Sequence, residues 1–156
     1  MEFLQAVSDW PGAMVLRRFQ VAYLLVNAAH IISVGLLFGA IVTLDLKILG
    51  LFKQYPITVL GPPLSRVAAA GVALAAVTGL MLFSVRPMAY LQNTAFLIKI
   101  GVIGLAVINA LLLSRNRYWR LALLQGKTHW KVRLPALLSL IFWVSAIVAG
   151  RWTGFV

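Results

Sequence analysis

Four long apolar runs dominate the chain, and short segments rich in proline, glycine and basic residues separate them. A helix that crosses the ~30 Å hydrocarbon core of a bilayer needs about 20 apolar residues. The runs therefore predict four transmembrane helices, at about residues 19–44, 66–85, 95–113 and 135–150. Gly61-Pro62-Pro63 and Arg86-Pro87 stand between runs, where we expect the helices to be broken. The pattern predicts an all-α, four-helix transmembrane bundle that runs up-down-up-down.

The composition agrees with a single integral membrane domain over residues 1–156. The chain is 62% hydrophobic and 11% charged, which is not the composition of a soluble protein. The opening segment, MEFLQAVSDWPG, lacks a basic stretch followed by an apolar core, so we expect no cleavable signal peptide. Because the chain has no cysteine, disulfides, thiolate metal sites, iron–sulfur clusters and covalently attached c-type haem are excluded.

The formal net charge of +11 bears on membrane orientation rather than on nucleic-acid binding. The basic residues stand at the ends of the apolar runs, which predicts contact with anionic lipids and no nucleic-acid partner. Nine lie in the first-to-second and third-to-fourth loops: Lys47, Lys53, Arg66, Arg115, Arg117, Arg120, Lys127, Lys131 and Arg133. Five lie on the opposite side: Arg17, Arg18, Arg86, Lys99 and Arg151. The positive-inside rule then places both termini outside.

The first run contains His30, an ionisable residue inside an otherwise apolar span. Wound at about 100° per residue, the helix brings these residues onto one face: Tyr23, Asn27, His30, Val34, Leu37, Ile41 and Asp45. Polar side chains are costly against lipid, so we expect this face to point into the bundle or into a cofactor pocket. His30 is then a metal or haem ligand, part of a proton relay, or a residue that hydrogen-bonds to a neighbour such as Asn27, Ser33 or Thr78.

Small residues mark two helix faces for close packing. Gly35 and Gly39 lie about opposite His30 and predict a close helix contact, within the bundle or across a homodimer. The second run repeats the four-residue spacing at Gly71, Ala75 and Gly79. We expect a neighbouring backbone to approach at both places.

The other ionisable residues of the loops and spans have structural interpretations. Asp45 is expected to cap its helix or to pair with Lys47, Lys53 or Arg66 at the inner interface. His129, in the basic third loop, is expected to be a solvated histidine.

Three basic residues near the outer ends of different spans, Arg86, Lys99 and Arg151, lie at one predicted membrane level. They would form an anion site if their helices faced one another there. The alternative is that each side chain reaches separately to the interface.

Several segments together resemble a family of small four-helix bacterial inner-membrane proteins of unassigned function. They are HIISVGLLFGA from His30, LDLKILGL from Leu44, TGLMLF from Thr78, AFLIK from Ala95 and AGRW from Ala149. The first span is also similar to the copper-resistance D family and to four-helix membrane proteins that bind haem b. The resemblance implies an inner-membrane location and makes His30 a candidate axial ligand. Because no second histidine lies in a predicted span, the chain departs from a bis-histidine cytochrome pattern.

The haem hypothesis gives several polar residues a role around b-type haem. His30 is the axial ligand, and the three basic residues Arg86, Lys99 and Arg151 pair with the haem propionates. Asn27 orients the His30 ring. The sixth position is open, filled by water, or taken by a weak donor such as Met81 or by a group from a neighbouring chain. Such a protein acts in electron transfer with a redox partner, in gas binding or in haem handling.

Two other functions remain open. The bundle moves a small solute, an ion or copper along a path past His30, Asn27 and Asn109, or it is an assembly subunit that docks another membrane protein. The sequence shows no nucleophile and base pair, no carboxylate pair and no phosphate-binding loop. Hydrolase and kinase functions therefore have no support.

Overall fold

The computed structural model describes residues 2–153 and 155, without the side chains of Glu2 and Phe3, and contains helices but no strand over this part of the chain. In chain order the helices are α1 (Glu2–Asp9), α2 (Pro11–Arg18), α3 (Gln20–Leu49), α4 (Ile57–Val85), α5 (Pro87–Gln92), α6 (Thr94–Arg115), α7 (Arg117–Gln125) and α8 (Trp130–Trp152).

Four of these helices, α3, α4, α6 and α8, are long and apolar enough to cross a membrane. They correspond to the four predicted spans, so the all-helical fold class and the multi-pass character are confirmed. Their surfaces suit lipid contact: in α6 only 6% of the most apolar 18-residue window is buried inside the chain. Side chains such as Leu80 and Leu112 remain 68% and 65% exposed. In a bilayer, these exposed apolar faces would meet acyl chains.

The predicted break at Gly61-Pro62-Pro63 is wrong, because α4 begins at Ile57 and runs through both prolines. A proline inside a helix removes one N–H and clashes with the carbonyl four residues earlier. Here the carbonyl groups concerned are those of Thr58 and Val59, in the first turn of the helix. The disturbance is therefore confined to the end of α4, where the predicted span would already have left the bilayer core.

The long helices form two pairs that meet through α3 and α8. Helix α3 packs on α4, α6 packs on α8, and α3 also contacts α8. The backbones of α4 and α6 do not approach each other, and these two helices meet through the stacked rings of Phe83 and Phe96. In the first pair His30 meets Thr78 and Leu37 meets Gly71, so residue numbers fall along one helix as they rise along the other. The two helices of this pair are therefore antiparallel neighbours, and a gap separates α4 from α6.

Two clusters of buried apolar side chains hold the pairs together. One lies in the middle of the bundle and contains Leu37, Ile41, Ala106 and Trp143. The other lies toward α7 and contains Leu44, Ile48, Ile57, Leu113, Trp119, Ala122, Val132 and Ala136. The α3 face predicted to point inward therefore does so along its second half.

Of the two close helix contacts predicted from small residues, the contact at Gly71 is confirmed and the contact at Gly35 and Gly39 within the bundle is wrong. A Cβ atom at Gly71 would lie 2.8 Å from the backbone nitrogen of Leu37, so α3 and α4 approach closely at this point as expected. A Cβ atom at Gly35 or Gly39 would meet nothing within 4 Å. The predicted contact of these two glycines within the bundle is wrong, because α4 packs on another face of α3, and only the homodimer alternative stays a prediction.

Short helices cover both ends of the bundle. Helices α1 and α2 form the short N-terminal segment, and the Trp10 indole donates a hydrogen bond to the Ser84 hydroxyl at 3.0 Å. At the other end, the basic third loop contains α7, which the sequence pattern did not predict. Trp119 of α7 is buried against the first turns of α4, so this amphipathic helix closes the bundle there.

Replacing Gly71 with alanine should destabilise the fold, because the added methyl group would meet the Leu37 backbone. Overpacking of this kind costs about 1–3 kcal/mol. Gly35→Ala is the matched control in α3, where the methyl group enters open space and alanine is the better helix former. Thermal unfolding in detergent measures both variants. Equal melting temperatures for the two variants would contradict the close approach of α3 and α4.

Candidate functional site

A cavity of about 370 Å³ lies between all four long helices, toward the end closed by α7. Most of its lining is apolar, and Trp119 of α7 contributes to it. Six lining residues carry polar groups: Asp45, Ser65, Asn109, Ser114, Ser139 and Trp143. Ligand sites in proteins are typically concave, mainly apolar and furnished with a few polar groups. We call this space the inner cavity.

Asp45 is the one charged residue in the wall of the inner cavity. Asp45 is only 3% exposed, and its Oδ2 atom has no hydrogen-bond partner in the described part of the chain. The Ser139 hydroxyl of α8 lies within hydrogen-bonding reach of the carboxyl group. The expectation that Asp45 caps its helix or pairs with a nearby cation is wrong. It projects inward between the two apolar clusters.

The expected cationic partners of Asp45 have other environments. Lys47 Nζ donates to the carbonyl oxygen of Phe52 at 2.9 Å, and Arg66 is exposed on α4. The ion pair recorded among the described residues joins Arg17 to Asp9 at 3.7 Å, at the N-terminal end. Asp45 is therefore a buried acid without a cation, an arrangement that is costly unless something else compensates it.

Trp143 of α8 supplies an unused donor to the same cavity. It is 5% exposed, and its indole Nε1–H has no acceptor among the described residues. Asn109 differs, because its side-chain amide donates to the carbonyl oxygen of Pro135 at 2.9 Å. The wall of the inner cavity thus contains one unpaired acceptor, on Asp45, and one unpaired donor, on Trp143, and both atoms are themselves buried.

His30 lies about four turns away from Asp45 along α3 and makes a specific contact with α4. Its Nδ1 is 2.9 Å from the Thr78 hydroxyl oxygen. The hydroxyl donates to the carbonyl oxygen of Leu74 at 2.7 Å, so it accepts from His30 Nδ1–H. This assignment leaves Nε2 as the unprotonated ring nitrogen. Gly79 makes room for the ring, since a Cβ there would lie 3.2 Å from Cε1.

Asn27 does not hold the His30 ring. Its residue is exposed, and the contact that orients the imidazole comes from Thr78, one of the partners considered from the sequence. The reason is geometric: α4 packs against the His30 side of α3, while Asn27 lies one turn nearer the end of the helix. The prediction that Asn27 is the local partner is therefore wrong.

The three outer cations have different surroundings. The half-buried Lys99 side chain lies against Gly150, with Nζ 3.4 Å from the position of a Cβ there, and its ammonium group interacts electrostatically with His30. Arg151 is exposed and stacks on the Phe155 ring at 4.7 Å. Arg86 is also exposed and borders a separate groove with Pro87 and Met88. The described contacts of Arg86, Lys99 and Arg151 do not join the three side chains into one anion site.

An aromatic cluster lies beside Arg86 at the same end of the bundle. Tyr90 packs on Phe96 with ring centroids 5.0 Å apart, and Phe83 stacks on Phe96 at 5.9 Å. Burial raises the pKa of the Tyr90 hydroxyl, and its hydrogen bond with Tyr23 acts in the same direction. Tyr90 therefore stays neutral and helps to fix α5 on α3 and α6.

Two further predicted residues have no ligand role in the described contacts. Met81 is half-buried in α4, and its carbonyl oxygen accepts from Ser84. His129 is exposed as expected and caps α8, with Nδ1 accepting from the Lys131 backbone N–H at 3.2 Å. Within residues 2–153 and 155, no three His, Asp or Glu side chains form a group that would hold a metal ion.

No protein-family model, no curated protein and no solved structure shows significant similarity to this chain. The site must therefore be interpreted from its own geometry. Sequence reasoning identified Asp45 and Asn109 but gave Asp45 a different role, and it did not identify Trp143 or Ser139. The sequence pattern placed Asp45 on the inward face of α3, and this position could have indicated that Asp45 lines a cavity.

Proposed function

We propose that this chain is a membrane-embedded protein that binds a small organic solute in the inner cavity, as a step in solute transport. The observation that carries the proposal is the buried Asp45 carboxyl group, whose Oδ2 has no protein partner. Intramembrane acids are rare and usually mark substrate or ion pathways. Transport was one of the functions left open by the sequence, and Asn109 of the path considered there borders this cavity.

The inner cavity supports binding better than the surroundings of His30 do. It has a volume typical of a small ligand site, and it contains both an unused acceptor and an unused donor. By contrast, His30 Nδ1 already has a hydrogen-bond partner, the Thr78 hydroxyl group. A satisfied polar group in a span needs no ligand, whereas an unsatisfied one gains free energy when a ligand pairs with it.

Filling the inner cavity should remove the bound solute. Ala68 lines the cavity on α4 and is half-buried, so Ala68→Trp places an indole in the space. Ala70→Trp is the matched control, because Ala70 is exposed on the same helix and is not part of the cavity wall. Mass spectrometry of extracts from denatured protein should find a small compound with the wild type and with Ala70→Trp, and none with Ala68→Trp. Identical extracts from all three proteins would contradict the proposal.

A haem b function is the second candidate, and one observation favours it. Donation of His30 Nδ1–H to Thr78 leaves the Nε2 lone pair free, as an axial ligand requires. Bound haem would supply redox or gas-binding chemistry. The residue fits as a single ligand, but His30 borders neither the inner cavity nor the groove beside Arg86. The described cavities therefore do not match a porphyrin at this nitrogen, and haem ranks second.

Visible absorption of protein purified from haem-replete cells tests this second candidate. Haem ligation through His30 predicts a Soret band that disappears in His30→Ala and persists in His129→Ala, the control at the exposed histidine of the third loop. The Ala68→Trp variant should keep the band, because the inner cavity is a separate site. A colourless wild type, or equal spectra for the two histidine variants, would rule out His30 as the haem ligand.

We further propose that the protein resides in a bacterial inner membrane with the helices running up-down-up-down and both termini outside. The support is the nine-to-five distribution of basic residues between the two sides, and we propose that these residues contact anionic lipids. The exposed Gly35 and Gly39 face is available to a homodimer or to another membrane protein, and a redox partner belongs to the haem candidate alone. A cytoplasm-active reporter fused after Val156 should be inactive, and activity there would reverse the orientation.

A further inference from the structure

We infer that the ligand of the inner cavity carries an ammonium group on an apolar body, and that it reaches the cavity sideways through the gap between α4 and α6. This inference rests on the proposed function and specifies its substrate class. Three features of the cavity support it: the charge of its wall, the nature of its remaining surface and the position of its opening.

The charge of the wall favours a cation. Among residues 2–153 and 155, Asp45 is the only ionisable side chain that lines the inner cavity, and no described cation pairs with it. A buried carboxylate needs an opposite charge with short hydrogen bonds, and an ammonium group supplies both to the unused Oδ2. Trp143 adds an indole ring to the same wall, and indole is the best cation–π partner among the side chains.

The remaining surface favours an apolar body without a phosphate. Branched and small apolar side chains from each of the four long helices form most of the wall, including Ile41, Val72 and Val107. A phosphate group would need a lysine or arginine beside it, and neither occurs among the described residues of the wall. The chemistry therefore fits a free lipophilic amine better than the ethanolamine headgroup of a phospholipid.

The opening lies between α4 and α6, the two long helices whose backbones stay apart beside the cavity. Of the residues in the wall, Ala69 of α4 and three residues of α6 are exposed: Ala110, Leu111 and Ser114. They border the gap between the backbones of α4 and α6, which the stacked Phe83 and Phe96 rings bridge only at the opposite end of the bundle from α7. Since both helices are candidate spans, this gap faces the bilayer, where an amphiphilic amine concentrates.

The test compares two small probes of equal shape, 2-phenylethylamine and 2-phenylethanol, in equilibrium dialysis against the protein in phosphatidylcholine nanodiscs. Empty nanodiscs correct for partitioning into lipid. The amine is protonated at neutral pH and should bind at least about tenfold more tightly than the alcohol, which corresponds to about 1.4 kcal/mol. Asp45→Asn should remove at least about tenfold of the affinity for the amine. Asp9→Asn, the same change at an exposed acid, should leave it unchanged.

Other results of these binding experiments would overturn all or part of the inference. Equal binding of amine and alcohol that Ala68→Trp abolishes would keep the cavity as a binding site and overturn ammonium recognition. Amine binding unchanged by Asp45→Asn would overturn the inference directly, as would no binding of the amine to the wild type. Because the probe comparison uses the wild type, it does not depend on the folding of any variant.

A last arm separates the two sources of an ammonium group. Replacing half of the phosphatidylcholine with phosphatidylethanolamine should leave amine binding unchanged if the site takes a free amine. Competition by the phosphatidylethanolamine would overturn the free-amine assignment and identify a lipid headgroup as the occupant. In either case, a tryptophan at the gap in Ala110→Trp should slow uptake of the amine into the cavity, and an unchanged rate would overturn lateral access.

Discussion

The burial of one carboxyl group inside a bundle of apolar helices is the constraint on which the rest of the arrangement depends. A buried carboxyl group is costly unless a hydrogen bond or an opposite charge compensates it. Asp45 avoids lipid because α8 packs against its face of α3 and because the apolar clusters above and below it fix the two helices. That packing removes the carboxyl group from lipid without giving both of its oxygens a partner. Because one oxygen of Asp45 remains unpaired in its wall, the inner cavity is a candidate binding site.

The two ionisable residues of α3 show how local partners decide between structure and function. His30 meets a threonine that is already oriented by its own helix, so its ring is held and its contact is satisfied. Asp45 meets a single serine and an open space of about 370 Å³. The difference between the two residues therefore lies in the hydrogen-bond partners that the neighbouring helix provides. A haem function would need the free nitrogen of His30 to find iron outside the described cavities, whereas solute binding uses a carboxyl group and an indole that already stand in the wall of a cavity.

Much of the fold follows from composition and periodicity, and the errors have physical causes. The four spans are predictable because apolar length alone determines them, and the Gly71 contact follows from four-residue spacing of small residues. The continuation of α4 through Pro62 and Pro63 was not predictable from a breaker rule, since the cost of proline depends on its distance from the helix end. Gly35 and Gly39 have the same spacing as the second-run glycines, but which face of α3 receives α4 is settled by the whole bundle. The identity of the cavity wall, including Trp143, depends on tertiary packing between helices distant in sequence.

The most direct test of the central claim is carbodiimide labelling of the three acidic residues, Glu2, Asp9 and Asp45, followed by mass spectrometry. An apolar carbodiimide partitions into the bilayer and reaches carboxyl groups there, whereas a water-soluble one reaches those in water. If Asp45 is an unpaired acid in a cavity that opens to lipid, the apolar reagent should modify it and the water-soluble reagent should not. Asp9, which is 73% exposed at its side chain, should react with the water-soluble reagent. Modification of Asp45 by the water-soluble reagent at the rate of Asp9, or no modification of Asp45 by the apolar one, would contradict the account.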